Sequence, residues 1–200
     1  IAFFFGAIIQ SYLLFRANVV PNPIREGIFQ FISAMSTTGW QTSNIGNWDW
    51  LSIVFIVCIA QFIGGASGAT VGGIKMIRAI LIKRGLRWQI NKTFLSENTV
   101  KSVKFNGKSL LPEEMNAEFT KAASLAIFFF LLIMASSIIG TFFIGENYDF
   151  ADALFEASSA QATVGLSSGI TDPSMSPVLE LVYIFQMWAG RLEIIPVLAL

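Results

Sequence analysis

Read for the alternation of hydrophobic and polar positions, the chain falls into long apolar runs separated by short polar breaks. From Ala122 to Gly145, between Lys121 and Glu146, 24 residues carry no charge. A hydrocarbon core about 30 Å thick is crossed by about 20 helical residues, so this run predicts a membrane span. Its mid-chain position and its length exclude a signal peptide. Shorter runs cover Ile1 to Phe15, Leu51 to Ile63 and Val178 to Ala189, the last resuming past Arg191 to Leu200. The latter two reach spanning length only when a Gly-rich or a charged interruption is included. The first opens the chain without an initiator Met, which leads us to expect earlier segments in a parent protein.

Two segments of about a dozen residues break this pattern. One begins at Asn22-Pro23, an N-cap residue followed by Pro at the first helical position. The other begins at Asp149, with Asp152 three residues on, an acidic form of the capping box. Twelve residues at 1.5 Å each cover about 18 Å, roughly half a bilayer. Each segment ends in small hydroxyl residues and glycine: Ser36-Thr37-Thr38-Gly39-Trp40 and Ala162-Thr163-Val164-Gly165-Leu166. Each lies between two apolar helices. The predicted order is helix, half-helix, loop, helix, and it occurs twice.

The two halves are one pattern repeated. Phe29 aligns with Phe155, an offset of 126 residues. Ser33, Ala34, Thr37 and Gly39 then fall on Ser159, Ala160, Thr163 and Gly165, and Glu26 falls on Asp152. Without a gap, Gly64 falls on Gly190 and Gly65 on Arg191. Internal repeats are common in transport folds. Irregular backbone at membrane depth is tolerated where it lines water or is buried in protein. In a pore its carbonyls replace the hydration shell of a cation, and a half-helix aims its negative C-terminal end the same way. Glycine at 39 and 165 opens torsions that turn carbonyls to one side. The competing reading is close helix packing on small residues.

Composition narrows the class further. Charged residues are 13% of the chain, about half the usual soluble share of roughly 25%, and 19 Phe exceed what a small soluble core can hide. There is no His and a single Cys, Cys58, so a His-based triad, a Cys/His zinc site and an internal disulfide are excluded. Cys58 lies in an apolar run, where it packs as an inert hydrophobe. Thirteen basic residues balance 13 acidic ones, which gives no reason to expect nucleic-acid binding. Nine of the basic residues lie between Lys75 and Lys108 against one acid, Glu97, while Glu146 to Asp172 holds five acids and no base. The basic stretch is therefore expected in the cytoplasm and the acidic one outside. Within the former, Val100 to Leu111 alternates around Asn106-Gly107, a hairpin signal.

The stretch Gly64 to Gly73 is no Walker A motif, because Ile74 separates Gly73 from Lys75 and no strand precedes it. Its five glycines (Gly64, Gly65, Gly68, Gly72, Gly73) would break the second helix of the first repeat. That break is either a kink with tight packing or an intramembrane loop. An intramembrane enzyme would need paired acids, a metal cluster or a Ser/Lys pair. The only clearly intramembrane ionisable residues are Arg191 and Glu193, with Glu180 nearer the outside, and residues two apart face different sides of a helix. No enzyme is expected.

These residues resemble a known family, the TrkH/TrkG/KtrB potassium transporters, with the plant and fungal HKT and Trk proteins as relatives. The resemblance runs through Ser36-Thr37-Thr38-Gly39-Trp40-Gln41-Thr42, Gly64 to Lys75, Ala162 to Ser167 and Gly190-Arg191-Leu192-Glu193-Ile194. It implies an all-α integral membrane fold, with tandem helix–pore-loop–helix repeats around a pseudo-fourfold cation pore. Residues 1–82 would be a third such unit, with its pore loop at 23–42 and a Gly-rich intramembrane loop at 64–73. Residues 83–121 would be a cytoplasmic basic linker. Residues 122–200 would be a fourth unit, with its pore loop at 149–168.

The resemblance further implies that Gly39 and Gly165 are filter glycines, with Thr37, Thr38, Thr163 and Val164 offering neighbouring carbonyls to K+. It implies a gate made of the 64–73 loop and Arg191, and no organic cofactor. It implies a homodimer, multi-pass in a prokaryotic plasma membrane, regulated by a cytoplasmic nucleotide-binding ring protein of the TrkA/KtrA type. Thr163-Val164-Gly165-Leu166 approaches the Thr-Val-Gly-Tyr-Gly signature of potassium channels but lacks its last Tyr and Gly, which implies fewer tight ion sites. The rival reading is a two-repeat potassium or sodium channel subunit that dimerises to form its pore.

Overall fold

The structure, a computed structural model, describes residues 2–64, 71–94, 103–105 and 108–192. Helix α1 (Ala2–Ala17) is followed by α2 (Pro23–Met35), with Pro at the first turn. Asn22 stands at the N-cap as expected, yet its side chain makes no cap hydrogen bond. A polar stretch leads to α3 (Trp50–Ile56), which passes into a π-helical segment, Val57–Gln61. Helix α4 (Met76–Thr93) resumes beyond the Gly-rich stretch. A small antiparallel hairpin, β1 (Val103–Phe105) and β2 (Lys108–Leu110), pairs Phe105 with Lys108 as the Asn106-Gly107 signal predicts. Then come α5 (Pro112–Thr141), α6 (Phe150–Gln161) and α7 (Pro177–Leu192). The side chain of Cys58, and Gly65, Gly68, Glu193, Asn106 and Gly107, lie outside the described residues.

Two boundaries differ from the sequence pattern. The apolar run 122–145 is carried by a helix that starts ten residues earlier, at Pro112, and stops at Thr141. Its first turn carries one half of a capping box: the Glu114 carboxylate accepts the Leu111 N–H at 3.0 Å, which allows a polar opening turn that hydropathy does not register. The stretch 83–121 is correspondingly helical at both ends, in α4 and α5, with the hairpin between. Leu81, Met115 and Ala122 form a small core there, and Gly85 lies so close to the Phe119 ring that a Cβ would stand 2.2 Å from it.

The main core joins the two repeats. Leu14, Phe31, Ile56, Ile133, Phe155 and Leu179 are fully buried within one cluster. Close approach between α1 and α2 is possible because position 27 has no side chain; a Cβ on Gly27 would lie 2.6 Å from the Ser11 backbone. On α5, Leu125, Phe129, Ile133 and Ser137 are buried at helical spacing, while Ile127, Phe128, Leu131, Met134 and Ile138 are exposed. A 30-residue helix is about 45 Å long, and one whose outer face is as apolar as its inner face is suited to lipid rather than water. Among the described residues, Glu113–Thr141 alone is long and apolar enough to cross a membrane by itself.

Candidate functional site

The two half-length helices end in loops with the same torsions. Among the described non-glycine residues, only Asn18, Thr37 and Thr163 have positive φ, at 53°, 50° and 54°. Gly39 and Gly165 follow two residues later at 77° and 91°. Thr38 and Val164, between them, keep negative φ, so the hand alternates along both loops. Residues of alternating hand turn their N–H groups to one side and their carbonyls to the other. Left-handed torsion at a β-branched threonine costs energy, so surrounding bonds must hold it.

Those bonds repeat at the 126-residue offset. Ser36 N–H donates to Ile32 at 2.9 Å, and Ala162 N–H to Ser158 at 2.9 Å. Thr37 N–H donates to Ala34 at 3.2 Å, and Thr163 N–H to Ala160 at 3.1 Å. Thr38 N–H donates to Ser33 at 3.0 Å, and Val164 N–H to Ser159 at 2.8 Å. The Ser33 hydroxyl donates to the Trp40 carbonyl and the Ser159 hydroxyl to that of Leu166, both at 2.7 Å. In a trans peptide C=O and N–H point opposite ways, so the Thr37 and Thr163 carbonyls are directed away from α2 and α6. The helices also aim their negative ends at these loops.

A second matched pair lies behind the loops and was not singled out from the sequence. Gln30 and Glu156 are both buried and stand at the same offset. With its amide turned so that the oxygen faces the main chain, Gln30 accepts from the Thr42 and Ser43 N–H groups at 2.8 and 3.3 Å. One Glu156 oxygen accepts from the Ser168 N–H at 2.8 Å and from the Ser167 hydroxyl, the other from the Thr171 hydroxyl at 2.7 Å. The available signal was a long polar residue at one register position in both halves. Glu26 and Asp152 share the register but no bond: Glu26 accepts from the Thr42 hydroxyl, and Asp152 from the Asp149 N–H at 3.1 Å. Asp149 and Asp152 form the expected capping box.

The loops and the Gly-rich stretch meet. A Cβ on Gly39 would stand 2.4 Å from the Val164 carbonyl oxygen and 3.3 Å from the Gly165 Cα. Gly64 N–H donates to Ile74, and Ile74 N–H to Phe62, both at 2.9 Å, so the ends of the Gly-rich stretch are tied together. Gly72 lies against the end of α6, where a Cβ would be 2.1 Å from the Ala162 carbonyl oxygen. Gly190 presses on the same end, with a virtual Cβ 1.9 Å from the Gln161 oxygen. Arg191, the next residue, is exposed in the last turn of α7. Beyond the loops the chain turns through Asp172, whose carboxyl is held below its ordinary range by hydrogen bonds from the Ser174 hydroxyl and N–H.

Comparison with known proteins gives this geometry a setting. The family model described as TrkH, a cation transport protein, matches residues 6–200. A cation transporter of Methanocaldococcus jannaschii is 32% identical over 178 residues, covering 89% of this chain and 36% of that protein. The Trk system potassium uptake protein TrkH of Escherichia coli is 30% identical, with 88% and 35% covered. The chain thus spans about a third of the length of these relatives. The crystal structure of the potassium transporter TrkH from Vibrio parahaemolyticus matches 99% of the chain and 42% of its own, with a TM-score of 0.72 at 23% identity. It shares the helical fold. A family match from residue 6 to the last residue, over two loops that repeat each other, leaves one assignment: the chain belongs to the TrkH family of cation transport proteins.

Proposed function

We propose that the chain forms part of a potassium uptake pore, in which loops 36–42 and 162–168 line the ion path with backbone carbonyls. The observation that carries this reading is the alternating hand at Thr37, Thr38 and Gly39, repeated at Thr163, Val164 and Gly165, with equivalent bonds to α2 and α6. A packing kink has no need of two left-handed threonines at matched positions. α2 and α6 are then half-helices that enter the membrane and stop within it, inside repeats of 1–82 and 122–200. Thr37, Thr38, Gly39, Thr163, Val164 and Gly165 are the residues that meet K+.

The Gly-rich stretch and Arg191 form the gate in this reading. Its support is the contact of Gly72 and Gly190 with the final turn of α6, directly beside the second loop. The basic stretch from Lys75 to Lys108 faces the cytoplasm of a multi-pass plasma-membrane protein. There a nucleotide-binding ring protein acts on a homodimer. K+ is the cargo, and the protein performs no covalent chemistry. Nothing in the geometry favours a two-repeat channel subunit over this reading. The test is flux from the full-length protein in liposomes, with K+ and Na+ compared under equal gradients. Potassium flux well above sodium flux is expected; equal fluxes, or none, would overturn the proposal.

A further inference from the structure

Gln41 reaches from the first loop to the second. Its amide nitrogen donates to the Ser167 carbonyl at 2.9 Å, and its amide oxygen accepts from the Ser167 N–H at 3.2 Å. The same nitrogen donates to the Ser43 carbonyl of its own loop at 2.9 Å. One primary amide has two donors and one acceptor oxygen, and here both donors and the oxygen are engaged with main chain. Ser167 is Gln41's own counterpart at the 126-residue offset. The relationship is not reciprocal, because the shorter Ser167 side chain turns inward to Glu156. The chain of contact therefore runs from Gln41 through the Ser167 backbone to Glu156 and Thr171.

We propose that Gln41 is a positioning residue that locks the two loops together at the mouth, and so sets the preference for potassium over sodium. The inference rests on the potassium-pore reading above. Discrimination between two cations of one charge depends on how closely the coordinating carbonyls can approach. Two separate loops have no covalent tie that fixes this spacing, and the Gln41 amide ties them by hydrogen bonds instead. Gln41, Thr42, Ser43, Asn44, Ser167 and Gly169 line an open cavity of about 510 Å³. In that setting water replaces a lost hydrogen bond, so the lock adds little to folding stability. A residue that matters for ion preference and hardly for stability is distinguished from a merely structural one.

The test uses the full-length protein in liposomes, with K+ and Na+ fluxes for wild type, Gln41→Leu, Gln41→Asn and Gln41→Glu. Leu removes all three bonds, Asn is one methylene too short, and Glu sets an acceptor-only oxygen against the Ser43 and Ser167 carbonyls. The K+/Na+ ratio should fall by about fivefold to tenfold in all three variants, with thermal midpoints of Leu and Asn near wild type. Hydrogen exchange at the Ser167 amide should quicken in Leu and Asn. An unchanged ratio in folded Leu or Asn variants, or unchanged Ser167 exchange, overturns the lock while the pore reading stands. A wild type without potassium preference sinks the pore reading and this inference with it.

Discussion

Gly39 and Gly165, 126 positions apart in the sequence, meet face to face: a Cβ built on Gly165 would stand 3.7 Å from the Cα of Gly39. The approach is asymmetric. A Cβ on Gly39 would collide with the Val164 carbonyl oxygen at 2.4 Å, whereas one on Gly165 meets only that Cα. Both glycines hold positive φ. Two loops that repeat each other's backbone are thus brought into contact at their most permissive residues.

Glu156 gives the first prediction. Its carboxylate holds the Ser168 N–H and the hydroxyls of Ser167 and Thr171. Glu156→Ala leaves the buried Ser168 N–H unpaired, while the Ser167 and Thr171 hydroxyls turn to water, and should cost roughly 1–3 kcal/mol. Glu156→Gln should cost clearly less, because the amide of Gln30 does the equivalent work in the first loop. Thermal unfolding of the two variants in nanodiscs checks the order; equal losses would show that the anchor is not a matter of hydrogen bonds.

Gly190→Ala places a methyl group where the Gln161 carbonyl oxygen would be 1.9 Å away. That atom is backbone and cannot swing aside, so overpacking should cost roughly 1–3 kcal/mol. Gly64, its counterpart, has the Gly72 oxygen at 2.2 Å and should behave alike. Gly145, with nothing within 4 Å, serves as the control. A drop in thermal midpoint for Gly190→Ala and Gly64→Ala, with none for Gly145→Ala, is the expected result.

What the sequence made legible is what register and hydropathy can carry. The repeat, the capping box at Asp149 and the paired glycines rest on residue type at fixed spacing, and Thr37 and Thr163 share positive φ at that spacing. The polar start of α5 was not legible, because the Glu114 carboxylate, accepting the Leu111 N–H, supports a turn that composition marks as linker. Nor was the bond between Gln41 and Ser167, which depends on how two distant loops pack rather than on either segment. Gln30 and Glu156 sat in register throughout, but matched residues of different charge do not advertise a common role.

Deletion of Ala66 to Ala69 tests the Gly-rich stretch. Its flanks are tied by the bonds between Gly64, Ile74 and Phe62, so a shorter connection can close over the same base. A gate so shortened should leave a folded protein with raised basal flux and weaker control by the cytoplasmic partner. A packing kink would instead lose stability without opening. Monodispersity by size exclusion and flux in liposomes separate the two outcomes.

Arg191→Ala should raise potassium flux and leave the K+/Na+ ratio nearly unchanged, with Lys keeping much of the barrier. A guanidinium about 10 Å from a passing ion repels it by roughly 1.7 kcal/mol at an effective dielectric of 20, more than tenfold in local population. Arg191 follows Gly190, which packs on the end of α6, and in the proposed gate its charge would act beside the filter loops. Loss of folding or of flux in the Ala variant would point to a structural ion pair instead.

The central claim is that backbone carbonyls around Gly39 and Gly165 select potassium. It is tested most directly by the K+/Na+ flux ratio of Gly39→Ser and Gly165→Ser in the full-length protein, reconstituted beside wild type. A side chain at these torsions is strained by about 1–2 kcal/mol, and at position 39 it also displaces the Val164 carbonyl. The account predicts a lower ratio in both variants, with the greater loss at Gly39. Wild-type ratios in two folded variants would contradict it.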